Sequence, residues 1–130
     1  MKVLALDYGR ARTGVAVSDA TGTLARPVGV VERVRSPRGL AALVTHIAEH
    51  DPERVVVGLP LTLRGEEGEQ ARETRAFVRE LSARCDVPVE LYDERFTTVL
   101  AARTAGARSD DAVAAAHLLE GYLEWLRSAG

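Results

Sequence analysis

Four acidic residues stand where a chain of this kind could do chemistry: Asp7, the neighbours Asp93 and Glu94, and Asp111. Asp7 closes the apolar run Val3-Leu4-Ala5-Leu6, which reads as a buried strand. Asp93 and Glu94 close a later run, Val87-Pro88-Val89-Glu90-Leu91-Tyr92. Asp111 opens the last helical stripe, sharing a face with Ala115, Leu118, Leu119 and Tyr122. Taken singly, such an acid is a turn former or a helix cap. Taken together they mean more, because carboxylates packed close repel one another and persist only where a cation holds them. Oxygen-only donors suit Mg²⁺ or Mn²⁺ rather than zinc, and two such ions about 3.5–4 Å apart would span the gap between separate strand ends. Strand alternation puts Asp93 and Glu94 on opposite faces and leaves the choice between them open.

The elements that must position these acids follow from the pattern along the chain. Val3 to Asp7, Val15-Ala16-Val17 and Val28-Gly29-Val30-Val31 read as three strands joined by short turns, an antiparallel meander. Ser36-Pro37 starts a helix striped by Leu40, Leu43, Val44 and Ile47, and Asp51-Pro52 stops it. A buried strand from Arg54 to Pro60 leads through a loop to a helix over about 69–84, with Thr74, Phe77, Val78 and Leu81 on one face. A fifth strand runs over 87–92. Thr97 or Thr98 then caps a short helix ending near Gly106, and a last helix runs from Ser109 or Asp110 to about Arg127.

Strand–helix–strand crossovers are right-handed almost without exception. The order βββ-α-β-α-β-α-α therefore predicts a mixed five-stranded sheet, order 3-2-1-4-5, with helices on both faces. This is a three-layer α/β, ribonuclease H-like domain covering residues 1–130 as a single unit. Ligands of open α/β sheets sit at the carboxyl ends of the parallel strands, where Asp7 and the Asp93-Glu94 pair fall. Gly58 lies between them and leaves room.

Composition narrows the class. With 46% hydrophobic and 28% charged residues over 130 positions, the chain has enough apolar side chain for one core and too little charge for a disordered tail. No apolar run reaches the length of a membrane span, and Asp7 arrives too early for a signal peptide. The single cysteine, Cys85, fits a reducing cytoplasm. A net charge of −2 supplies no global attraction for nucleic acid. A local basic rim is nonetheless readable at the proposed edge from Arg10, Arg12, Arg64, Arg72 and Arg95.

Other motifs read as structure. His46-x-x-Glu49-His50 has the spacing of some zinc sites, but it falls in the last helical turn and lacks a third ligand. His117 lies inside an apolar stripe and reads as a packing residue. Trp125 and Leu126 either finish the core of a monomer or mark a homodimer contact.

Four segments together resemble the YqgF/RuvX family: Leu6-Asp7-Tyr8-Gly9 with Thr13-Gly14; Val57-Gly58-Leu59-Pro60 with Gly65 and Gly68; Asp93-Glu94-Arg95-Phe96-Thr97-Thr98; and Asp111-x-x-Ala114-Ala115-x-x-Leu118-Leu119-Glu120-x-Tyr122. The match runs through nearly the whole chain in order. The resemblance implies a ribonuclease H-like fold and metal-dependent phosphodiester hydrolysis, with structured RNA such as a 16S rRNA precursor, or branched DNA such as a Holliday junction, as partner. It assigns Asp7, Glu94 and Asp111 as the catalytic and metal-binding acids, with two Mg²⁺ or Mn²⁺ ions. It suggests Arg95, Thr97 and Thr98 as phosphate contacts beside Arg10, Arg12 and Arg64, although either threonine also suits a helix cap. A domain that docks on RNA or on the transcription machinery without cutting is the alternative.

Overall fold

The strands are β1 (Val3–Asp7), β2 (Arg12–Ser18), β3 (Ala25–Glu32), β4 (Arg54–Leu59) and β5 (Val89–Asp93), and the helices α1 (Pro37–His50), α2 (Glu69–Ser82) and α3 (Asp111–Ala129). They come from a computed structural model that describes residues 1–61, 64–93 and 111–129. Glu94, Arg95, Thr97, Thr98 and the short helix expected before Gly106 lie outside the described residues.

One sheet joins the strands in the order β3-β2-β1-β4-β5, as the meander and two crossovers require. β2 is antiparallel to both neighbours, while β1, β4 and β5 run parallel. Alternation divides β1 cleanly. Val3 and Ala5 join Ala16, Val56 and Tyr92 under α3, whereas Leu4 and Leu6 join Val15, Val55 and Val57 under α1 and α2. Both faces of β1 and β4 are thus buried, which is why these strands read as unbroken apolar runs. Fully burying a side chain such as Phe77 or Leu118 contributes about 1.5–3 kcal/mol.

The helix signals hold locally. The Ser36 hydroxyl accepts from the Gly39 N–H at 3.0 Å ahead of Pro37, and Asp51 ends α1 in the left-handed region at φ 48°. The meander strands extend beyond their apolar cores. Arg12, Thr13 and Gly14 belong to β2 and not to the preceding turn, because Gly14 still pairs with Asp7 on one side and Val30 on the other. Tertiary pairing here overrides the weak strand preference of glycine. His117 also departs from the sequence reading: it stands at the margin of the α3 stripe, half-exposed, with Nδ1 3.1 Å from Glu120 Oε1. Leu126 packs against the core under α3, and Trp125 lies on Tyr92 and Tyr122 with about half of its surface exposed (48%). Among the described residues, no helix is long and apolar enough to cross a membrane.

Candidate active site

The register of the sheet decides which acids can meet. Asp7 is the last residue of β1, and alternation from Val3 and Ala5 puts its side chain on the α3 face. It is buried, only 6% exposed. Its cross-strand partner is Gly14, at a Cα separation of about 4.5–5.5 Å for directly opposed antiparallel residues. On its other side, one step beyond the Leu6–Val57 pair, the register brings Gly58. Neither neighbour presents a side chain on this face.

Gly14 is where α3 lands. A Cβ built there would lie 1.8 Å from the Asp111 carbonyl oxygen and 2.3 Å from its carbon. Only a residue without a side chain lets the helix approach so closely. The first residue of α3 is thereby seated over the strand position opposite Asp7. Two acids more than a hundred residues apart in sequence share one patch of the sheet edge.

Asp111 has a cationic neighbour. Arg12 Nε lies 3.1 Å from Asp111 Oδ2, with the arginine side chain largely exposed and the aspartate about three-quarters covered. Arg12 reaches it because residues 12 and 14 of β2 point to the same face. Arg10 behaves differently. From the turn after β1 it reaches the opposite layer, where its Nε hydrogen-bonds both Glu73 carboxylate oxygens at 2.8 Å. Its Nη2 contacts Glu73 again and lies 3.3 Å from Glu69. The guanidinium holds the Glu73 carboxyl below the usual carboxylate range. Beside this clamp, Tyr8 stacks on Phe77 with ring centroids 4.8 Å apart. Burial, reinforced by Glu73, pushes the Tyr8 phenol up, so it stays protonated at neutral pH.

The remaining residues singled out in the sequence separate from this patch or lie beyond description. Asp93 pairs with Leu59, and alternation puts it with Leu91 on the α1/α2 face, away from Asp7. Glu94, Arg95, Thr97 and Thr98 lie outside the described residues. Arg64 is exposed in the loop before α2, and Arg72 is exposed on α2 itself rather than in a loop. His46 and His50 pack edge to face, with Glu49 3.7 Å from His46, and burial lowers the His50 pKa. No group of three or more His, Cys, Asp or Glu suited to a metal occurs among the described residues.

For a divalent cation at Asp7 and Asp111, the donor chemistry fits: two carboxylates on one face, brought together by the glycine that seats α3. Sequence reasoning missed two features of this patch. Gly14 is the seat of α3, and Arg12 is the partner of Asp111. The first had a signal, an isolated glycine inside Thr13-Gly14-Val15-Ala16-Val17, which marks close backbone approach.

A mixed five-stranded sheet of this order, with helices on both faces, is a ribonuclease H-like fold. The same fold is found in Thermus thermophilus RuvC bound to a Holliday junction substrate (TM-score 0.64, 22% identity, 98% of this chain and 96% of that one). It recurs in the Fowlpox virus resolvase with Holliday junction DNA (TM-score 0.62, 12% identity, 97% and 99%). The chain belongs to the RuvX family, whose model, described as Holliday junction resolvase, matches residues 1–125. A relative in Chloroflexus aurantiacus named "Putative pre-16S rRNA nuclease" is 42% identical over 135 residues, covering 97% of this chain and 88% of the relative. One of the same name in Moorella thermoacetica is 38% identical over 140 residues, covering 100% and 99%.

Proposed function

We propose that this chain is a divalent-cation-dependent nuclease that hydrolyses phosphodiester bonds of structured RNA, and that its substrate is the 5′ end of the 16S rRNA precursor. The observation that carries the reading is the seating of Asp111 over Gly14, opposite Asp7, at the end of the sheet where α/β folds bind ligands. Family membership and the naming of relatives support the substrate. Asp7 and Asp111 would serve as ligands, with Glu94 as the third. The opposite facing of Asp93 favours Glu94 over its neighbour.

A bound Mg²⁺ or Mn²⁺ pair would polarise the scissile phosphate, activate the attacking water and stabilise the leaving oxygen. The protein's own part is orientation. Burial beneath the start of α3 fixes the Asp7 carboxylate, and Gly14 beside it admits the helix that carries Asp111. Arg12, Arg64 and, beyond the described residues, Arg95, Thr97 and Thr98 would hold phosphates along the edge.

The test incubates the protein with a 16S rRNA precursor and, separately, a four-way DNA junction, in Mn²⁺ and in EDTA. Cleavage of the precursor that requires Mn²⁺ and disappears in Asp7→Asn is expected. Preferential cutting of the junction would reassign the substrate to branched DNA. Mn²⁺-independent binding without cutting of either would make the domain a docking module. Asp7→Asn cutting as well as the parent would remove Asp7 from the mechanism.

A further inference from the structure

Two arginines flank the site, and they are held in different ways. Arg10 is locked, its guanidinium fork closed on Glu73 and touching Glu69, on the layer away from Asp7. Arg12 is not. Among the described residues it makes one ion pair, Nε to Asp111 Oδ2 at 3.1 Å, from a side chain 62% exposed. Exposed pairs with a single contact hold weakly and exchange readily. Yet this one lies on a carboxylate that the proposed function needs for a cation.

A guanidinium and a divalent ion cannot both sit close to the same carboxylate without repelling each other. We propose that Arg12 is an exchangeable counter-cation: it neutralises Asp111 while the cation position is empty, and cation binding releases it to grip a phosphate of the substrate. The inference rests on the cation-dependent reading above and adds to it the order of events. Geometry supports the second half as well as the first. Arg12 stands on the α3 face two residues before Gly14, so its released fork stays beside Asp7 and Asp111. A planar guanidinium matches two phosphate oxygens at once. The device couples the two binding events: without a cation the arginine is occupied, and with one the site gains a phosphate contact just where the chemistry would occur.

Calorimetric titration with Mn²⁺ at low ionic strength tests the exchange, using the parent, Arg12→Gln and Asp7→Asn, each checked by circular dichroism. Removing one positive charge about 5 Å from a divalent ion in well-screened surroundings should tighten Mn²⁺ binding by about tenfold. A merely structural arginine would leave that affinity unchanged or lower it, and either result overturns the proposal. Fluorescence anisotropy with a labelled RNA hairpin reads the second half. Arg12→Gln should lose little affinity in EDTA, where only the uncovered Asp111 opposes the RNA, and bind several-fold more weakly in Ca²⁺; an equal loss in both buffers overturns the coupling. The two levels fail separately. If Asp7→Asn binds Mn²⁺ as the parent does, the cation site itself is wrong and the exchange falls with it. If Asp7→Asn loses binding while Arg12→Gln leaves it unchanged, only the exchange is wrong.

Discussion

Gly14→Ala is the most exacting perturbation of the site, because it replaces no acid and adds one methyl group. That carbon would lie 1.8 Å from the Asp111 carbonyl oxygen, against a closest comfortable carbon–oxygen approach of about 3.3 Å. No flexible side chain is available to yield, since the obstructing atoms are backbone of α3. The helix start must therefore retreat from β2 by about 1.5 Å, the difference between the two distances. Overpacking of this kind costs about 1–3 kcal/mol. For a chain of this length a 2 kcal/mol loss lowers the melting temperature by about 7 °C. The functional loss should be larger than the loss of stability suggests. Displacing one catalytic group by about 1 Å can cost on the order of a hundredfold in rate, so rRNA-precursor cleavage and Mn²⁺ affinity should both fall steeply in protein that is still folded at 25 °C. Gly29→Ala is the control, because a Cβ there meets nothing within 4 Å. If Gly14→Ala cuts and binds Mn²⁺ like the parent, then the close seating of α3 does not set the distance between the acids, and the reasoning fails.

Other measurements probe the surroundings. Glu73→Gln should loosen the hold on Arg10, raising affinity for an RNA hairpin and steepening the logarithmic salt dependence by about one charge; an unchanged slope would mean that Arg10 never reaches the substrate. Asp19 offers a pH test. Its carboxylate accepts from the Thr21 hydroxyl and from the Thr23 and Leu24 N–H groups, which pull its pKa down to about 2. A carboxylate depressed in the folded state adds stability above its unfolded pKa of about 4, and that contribution fades as pH falls toward 2. Carboxyl NMR should find this low value, and Asp19→Asn should flatten the dependence of melting temperature on pH in that window.

Much of this was legible before any coordinates. The strand order followed from handed crossovers and the two-sided burial of β1 and β4, written as Val-Leu-Ala-Leu and Val-Val-Val-Gly-Leu. Caps at Ser36 and Asp51 were readable because capping is local chemistry. Register was not. That Gly14 faces Asp7, that α3 begins over Gly14, and that Asp93 turns from Asp7 all depend on how strands slide against one another. A sequence states alternation along a strand but not its phase relative to a neighbour. Side-chain pairing was equally hidden. Arg10 and Arg12 stand two residues apart and read alike, yet the strand start at Arg12 sends them to different layers of the domain.

That divergence bears on how a chain of net charge −2 can hold a polyanion. Among the described residues, three arginines are matched to acids of their own chain: Arg10 to Glu69 and Glu73, Arg35 to Glu80, Arg75 to Glu67. Moving any of these onto a phosphate would leave a carboxylate exposed beside the same polyanion, so the gain is largely cancelled. Arg12 escapes that penalty, because its partner is the acid proposed to take a cation. There, freeing a guanidinium leaves no bare negative charge behind, since the cation takes its place. Part of the attraction for nucleic acid is thus expected to arise at the site itself, once cations are bound, beside the exposed Arg64 and Arg72.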